Sequence, residues 1–524
     1  VNQQISVVGV VYLTLQNNQH HSITLRRIVS LTVLLLCGAA PVQGQIAFED
    51  VTDRSGLADL AYTWGAAWGD INTDGFPDLL VGHHYVYVES IYSPLYLNNG
   101  DGTFRAHKQF RGDIHGGVFG DVTGNRFPDL LVCRGSYHSD SLWTNVGGSL
   151  RYRTPSKTGI IDTGRGRTSS MVDVDLDGDL DIFVTNKLTP NLLWINDGSG
   201  FFTEEAAARG VVGRQDMNKA GSWCDYDKDG DMDLFVAVYD GYDHLYQNDG
   251  TGNFSDVASP AIGILMGLGS IDAYWSDFDN DLDMDLFVAR SFPGGGSTVP
   301  KPHLLYINRG NGTFVESGAS AGILNRQRAR QCTVGDFDND GFTDIAVSIF
   351  TEPTGILPGV DVFFHNNGDG TFKEIALNTL LLNEPVRYIQ GLGSVITSAD
   401  YDRDGWLDIF MTRGGHYLEN RNPGPNLLLH NVTANNHSWL EIKLRGRTSN
   451  PGGIGARVLV ETDTVTCLRQ HFGGSHYCSQ DEPLLHFGLG QATTIQRIVI
   501  KWPSTTFQVK LNPSFNQVLN VFEP

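Results

Sequence analysis

Several things are scarce in this chain, and each scarcity closes off a class of explanation. Cysteine occurs only six times in 524 residues, so a disulfide-dense scaffold is excluded. Lys and Arg number 37 against 59 Asp and Glu, the formal net charge is −22, and no basic stripe interrupts the acidity. Nucleic acid is therefore not the partner. The apolar run Ile28 to Cys37 is too short to span a membrane, and no transmembrane segment is expected. No methionine occurs before Met171, so the chain starts at a non-standard codon or is a fragment. No nucleophile elbow, zinc-protease helix motif, phosphate loop or haem-attachment motif is visible, and no catalytic residue is assigned.

What is abundant is a loop of the form Asp-x-Asp-x-Asp-Gly-x-x-Asp. It occurs seven times with variations, starting at Asp70, Asp121, Asp173, Asp225, Asp277, Asp336 and Asp400, at spacings of 51 to 64 residues. A repeat of about 50 residues indicates a propeller or a solenoid. Each loop runs into a short apolar stretch such as Leu79-Leu80-Val81 or Leu234-Phe235-Val236, too brief for a helix. A second stretch then ends in Asn-x-Gly turns such as Asn98-Asn99-Gly100 and Asn366-Asn367-Gly368, which mark tight hairpins. One period thus holds about four strands.

The seventh hairpin, at His430-Asn431, lacks the Phe-x-Glu/Asp strand that follows most others, and Phe48-Glu49-Asp50-Val51 at the N-terminus supplies a match. The expected fold is all-β: a seven-bladed β-propeller with calcium-binding loops over residues 45–432, then a small β-rich C-terminal domain over 433–524.

Positions 1, 3, 5 and 9 of each loop place oxygens around one point, position 7 offers a carbonyl, and glycine at position 6 allows the turn. Hard oxygen donors in a flexible loop suit calcium better than magnesium. An EF-hand needs glutamate at position 12, where this chain has valine six times and Met411 once.

The expected ligands are Asp70, Asn72, Asp74 and Asp78 in loop one, and Asp121, Thr123, Asn125 and Asp129 in loop two. Loops three and four offer Asp173, Asp175, Asp177 and Asp181, and Asp225, Asp227, Asp229 and Asp233. Loops five to seven offer Asp277, Asp279, Asp281 and Asp285, then Asp336, Asp338, Asp340 and Asp344, then Asp400, Asp402, Asp404 and Asp408. Loop two, with Arg126 in place of glycine, is the one expected to be empty. Loop five carries Leu282 at the glycine position, where positive φ strains a side chain. An isolated Asp-Gly cluster is as well explained as a solvated turn; seven in phase are not. The expected complement is five to seven Ca2+ ions in a structural role. The loops hold 25 carboxylates, so the rest of the chain is near neutral.

Leu25-Arg26-Arg27, the apolar run and Ala39-Ala40-Pro41-Val42-Gln43-Gly44 read as a signal peptide over residues 25–44, with 1–24 a non-native upstream segment. A lipoprotein signal at Cys37 fits poorly after the bulky Leu36. Secretion, or a cell-surface or periplasmic location, supplies calcium and permits disulfides. Cys467 and Cys478 are the best candidate pair, while Cys133, Cys224 and Cys332 read as small core residues.

Beyond Asn431 the period stops. Gly453-Ile454-Gly455-Ala456-Arg457-Val458, Phe487-Gly488-Leu489-Gly490 and Trp502-Pro503 follow in order. This tail resembles the ASPIC/UnbV domain, and the loops resemble the VCBS or FG-GAP repeats that accompany it in the cartilage acidic protein family. The resemblance implies a secreted or surface calcium-binding protein, related in repeat type to the integrin α propeller, and transfers metal ligation alone.

Two functions follow. The first is a monomeric adhesion or interaction module for an extracellular protein or glycan, with Trp68, His83, His84, Tyr85, His115 and Tyr239 as candidate face residues. The second is an enzyme using the central funnel for natural-product or carbohydrate chemistry, where His83, His84, His115 and His138 would supply a general base or a transition-metal site. Arg111-Gly112-Asp113 matches an integrin-recognition tripeptide at near-chance length and carries no weight.

Overall fold

The ninth residue of every aspartate loop opens a strand: Asp78–His83, Asp129–Arg134, Asp181–Asn186, Asp233–Val238, Asp285–Arg290, Asp344–Ile349 and Asp408–Met411. These strands are buried almost throughout, which explains their continuous apolar runs in place of an alternating pattern. In this computed structural model the described residues are 45–524, apart from 60, 85–91, 136–138, 163–164, 214–216, 265–268, 292–300, 351–358, 383–394 and 415–423. The segment read as a signal peptide lies outside them. Among the described residues no helix is long and apolar enough to cross a membrane.

Each repeat forms a four-stranded antiparallel sheet in chain order, for example Asn218–Cys224, Asp233–Val238, His244–Asn248 and Phe254–Asp256. In the last repeat the fourth strand is Phe48–Asp50, which pairs with Leu427–Asn431 through Phe48 opposite Asn431. The tail builds two further sheets, one of three strands around Trp439–Arg445 and one of four around Arg457–Thr462.

The expectation of a seven-bladed β-propeller is corrected. The chain is all-β, but its sheets are small and separate, and none closes into a barrel or curls on itself. Each repeat ladder stops at its fourth strand, which is short or largely exposed, as in Phe104–Arg111 and Phe254–Asp256. Such an edge does not template pairing with the next repeat.

Side chains join the repeats instead. The asparagine that ends each third strand donates from Nδ2 to a carbonyl in the loop of another repeat: Asn145 to Ile71 at 2.7 Å, Asn196 to Val122 at 2.9 Å, Asn248 to Val174 at 2.8 Å and Asn366 to Phe278 at 2.8 Å. Asn98 reaches Tyr401 in the same way at 2.8 Å. These residues read in the sequence as turn formers; their burial shows that they also tie repeats together.

The tail is the second device. Its hairpin, Ser475–His476 and Ser479–Gln480, adds to the first repeat sheet parallel to Ala66 and Ala67. Gln480 accepts from Phe119 N at 2.8 Å and donates to Phe119 O at 3.1 Å. Tyr477 N donates to Asp272 at 3.0 Å, and Asp481 accepts from Tyr274 Oη at 2.8 Å and Ser398 N at 2.7 Å. First strands of several repeats therefore converge on this hairpin, through Ala66, Phe119, Asp272 and Ser398. Glycines make the fit possible: a Cβ at Gly65 or Gly116 would collide with the Cys478 carbonyl.

The expected disulfide is also corrected. Cys467 and Cys478 are free and buried, as are Cys133, Cys224 and Cys332. Cys467 packs in the tail core beside Val458 and Ile498, whereas Cys478 packs among repeat residues at the hairpin tip. Burial pushes Cys478 up to about 11 and Cys467 up to about 12, which keeps both as unreactive thiols.

Candidate metal centres

Each loop is wound around its first aspartate. Asp336 accepts from Asp340 N at 3.0 Å and Gly341 N at 2.8 Å, and Asp400 accepts from Asp404 N at 3.1 Å and Gly405 N at 2.9 Å. The ninth residue locks the loop to its sheet: Asp285 accepts from Phe278 N at 3.0 Å and Asn308 N at 2.8 Å. Position 6 is left-handed in every loop, including Arg126 at φ 70° and Leu282 at φ 72°. Position 4 is left-handed as well, at Thr73, Leu176, Lys228, Asn280, Asn339 and Arg403, a strain the sequence does not announce.

Arg126 is exposed and its conformation is one that glycine adopts freely. Arg126→Gly should therefore raise stability by about 1 kcal/mol, read as a higher urea midpoint. An unchanged or lower midpoint would show that the strain is not there.

The donor set fits a hard dication. Among the described residues, the buried oxygens Asp70 Oδ1, Asp175 Oδ1, Asp225 Oδ1, Asp338 Oδ1 and Asp402 Oδ1 have no hydrogen-bond partner. Buried carboxylate oxygens are costly unless a cation meets them. Burial first, and neighbouring carboxylates second, push Asp173 and Asp340 up to about 7 and Asp338 up to about 6. A bound dication would reverse that repulsion.

Metal-capable groups include Asp173, Asp175 and Asp181; Asp225, Asp227 and Asp229; Asp338 and Asp340; Asp402 and Asp404. The last two clusters each include a histidine that the loop motif does not contain, His365 and His430. Both precede the tying asparagine of the third strand, and that register aims them at the loop. Hydrogen bonding to Asp344 lifts His365 to about 9; against burial, Asp408 lifts His430 to about 9. Gln247 fills the same register in loop four, donating to Asp227 at 2.6 Å. Loop two satisfies itself differently: Thr123 donates to Asp129 at 3.1 Å and Asn125 Nδ2 to Asn145 O at 2.8 Å.

The tail lies directly on these loops. Lys443 Nζ is 2.8 Å from Asp70, and Arg457 and Lys501 lie 3.9 and 3.8 Å from Asp225. Gly490 N donates to Asn339 O at 2.7 Å, and Asn435 Nδ2 donates to Asp338 O at 2.7 Å.

The remaining candidates separate. Tyr85 and His138 lie outside the described residues. Trp68 is a core residue whose Nε1 donates to Thr397 at 3.0 Å, and Tyr239 packs against Lys219. His83 pairs with Asp59 at 2.8 Å. Asp113 of the Arg-Gly-Asp tripeptide is buried, 2.7 Å from His84 Nδ1, so the tripeptide does not present its acid to a partner. His84, Asp113 and His115 converge in a buried cluster of their own.

Comparison with known proteins places these features. The family model described as ASPIC and UnbV matches residues 446–524, and that described as FG-GAP-like repeat matches 121–184, 173–236, 225–288 and 297–347. Human cartilage acidic protein 1 is 24% identical over 410 residues, covering 76% of this chain and 50% of that protein. The mouse protein is 24% identical over 416 residues, with 78% and 52% covered. The chain spans about half the length of these curated relatives. Among solved structures, the BP39L lectin from Burkholderia pseudomallei aligns with a TM-score of 0.43 at 9% identity, covering 67% of this chain and 93% of that one.

Proposed function

Because the chain belongs to the cartilage acidic protein-like family of FG-GAP-like repeat proteins with an ASPIC and UnbV domain, we propose that it is an extracellular calcium-binding interaction module whose ions clamp the tail onto the repeats. The observation that carries this reading is the set of buried, unpartnered carboxylate oxygens of Asp70, Asp225 and Asp338, in loops that tail residues contact. Calcium is favoured over magnesium because the donors are oxygens in irregular loops. Six loops would be loaded, at the aspartates and Asn72 named above, with loop two empty. The division into repeats over 45–432 and tail over 433–524 is kept as part of this proposal.

A protein partner is favoured over a glycan. Phe507, Val509 and Leu511 alternate along the outer strand of the tail sheet and are exposed at 67, 53 and 70%. An exposed apolar row on a sheet edge is a contact surface for another chain. Equilibrium dialysis of the full chain followed by elemental analysis should find about six calcium ions, not replaced by equimolar magnesium. Fewer than two, or equal affinity for both metals, would overturn the calcium reading. Arrays of extracellular proteins and glycans, probed with the parent chain and with Val509→Lys, then test the partner class. Binding to proteins that Val509→Lys loses supports it; glycan binding indifferent to that change overturns it.

A further inference from the structure

His84, Asp113 and His115 come from two neighbouring repeats. Asp113 and His115 flank the start of the strand Ile114–Gly120, and His84 follows the strand Asp78–His83. All three are buried, exposed by 6, 6 and 2%. His84 Nδ1 lies 2.7 Å from Asp113 Oδ1 and 2.9 Å from His115 Nε2, and His115 Nε2 lies 3.8 Å from Asp113 Oδ2. This is not a calcium set: two of the three donors are imidazole nitrogens, which suit zinc, copper and iron.

Proton bookkeeping does not settle the cluster. If His84 Nδ1 carries a hydrogen it can donate to Asp113, and His115 Nε2 must then share that same hydrogen. If it carries none, it faces the Asp113 carboxylate lone pair to lone pair at 2.7 Å. A metal between them would take a donor from each residue: ligand atoms bound at roughly 2.0–2.2 Å stand roughly 3–3.5 Å apart, near the two His84 contacts of 2.7 and 2.9 Å, with His115 and Asp113 needing to close from 3.8 Å.

Two further observations point the same way. The far nitrogen of His115, Nδ1, is 3.1 Å from Gly166 O, an outer contact that would hold the ring with Nε2 bare. Gly135 lies against the His115 ring, and a Cβ there would collide with Nε2, Cε1 and Cδ2, so only glycine leaves the imidazole in this position. The Trp64 ring, centred 4.8 Å from His84 and 6.0 Å from His115, braces both imidazoles. Among the described residues Arg167 opposes a cation here: its Nη1 is 2.8 Å from both His115 Nδ1 and Gly166 O, so Nε2 is bare only in the arrangement where Arg167 donates to Gly166 O and Nδ1 keeps its hydrogen, and Asp113 offsets the charge.

We propose that His84, Asp113 and His115 bind one first-row transition-metal ion of the zinc or copper kind, separate from the aspartate loops. The test uses the full chain, stripped and reloaded with excess calcium, then titrated with Co(II) as a spectroscopic probe. One equivalent of Co(II) should bind with ligand-field absorption that calcium does not displace. Cu(II) should displace it, as the affinity order requires. In His115→Gln and Gly135→Ala, Co(II) affinity should fall by more than about 100-fold, beyond what loss of an outer partner costs, with the calcium count unchanged as proof of folding. Absence of a calcium-resistant Co(II) spectrum in the parent chain would overturn the proposal even if neither variant folds. So would full Co(II) binding in a folded His115→Gln.

Discussion

Stripping calcium from the full chain should lower its melting temperature by on the order of 15 °C and loosen the tail before the repeats. At about 10 mM calcium, roughly 100 times a dissociation constant of about 0.1 mM for an extracellular module, each loaded loop adds about 2.7 kcal/mol. Six loops then contribute about 16 kcal/mol. Unfolding entropy near 2.1 cal/mol/K per residue gives roughly 1 kcal/mol/K for a chain of this size, so the two figures set the drop. The tail should respond first because its anchors are loop atoms: Gly490 N on Asn339 O and Asn435 on Asp338 O. Without the ion, Asp336, Asp338, Asp340 and Asp344 repel one another and the loop that carries those carbonyls opens. Hydrogen exchange would rise in the strand Trp439–Arg445 at chelator concentrations that leave Asp233–Val238 protected. A melting temperature indifferent to chelation, or simultaneous loss of protection in both strands, would rule the clamp out.

How much of this was legible in the sequence depends on whether the signal repeats. The strands after the loops, the hairpins and the N-terminal partner of the last repeat were readable because each recurs, or is missed, at a fixed phase. The aspartate positions were readable for the same reason. The closed propeller was not a safe extension: periodicity reports what one repeat contains, while the joining of repeats rests on buried asparagines such as Asn248 and on the tail hairpin. Nothing in the segment around Ser475 to Gln480 marks it as an added strand of the first repeat sheet. The supposed Cys467–Cys478 pair failed because ten intervening residues look like a short loop, when they carry the chain from the tail core into the repeats. His365 and His430 escaped because they belong to the third strand, not the loop motif; their place just before the tying asparagine was the available signal. His84 and His115 were visible as residues, but their meeting with Asp113 needed the register of two repeats.

The hairpin's own anchor predicts the second large effect. Asp272→Ala should destabilise the chain by about 3–5 kcal/mol, the usual cost of removing one partner from a buried ion pair. His476 is fully buried between two acids: Nδ1 lies 3.3 Å from Asp272 and Nε2 lies 3.3 Å from Asp481. Against burial, which lowers it, Asp481 and Asp272 push His476 up to about 10. The folded value lies above the unfolded value of about 6.5, so this contribution is fully present below about pH 6.5 and is lost progressively as pH rises through about 10. The urea midpoint of the parent chain should therefore fall between pH 6.5 and 9.5. Asp272→Ala should start lower and fall less, because the imidazolium has lost a counter-charge and the amides of Tyr477 and Cys332 have lost their acceptor. Glu523 provides an internal control with the opposite sign. Although burial raises it, hydrogen bonds from Ser504, Arg447 and Ser449 hold it down at about 2, so its contribution is present above about pH 4.5 and fades only in acid. A parent midpoint flat from pH 6.5 to 9.5, or an Asp272→Ala chain within about 1 kcal/mol of the parent, would show that the hairpin is held by packing and not by this charge. In that case the insertion of the tail would rest on Gly65, Gly116 and the strand pairing at Ala66 and Ala67 alone.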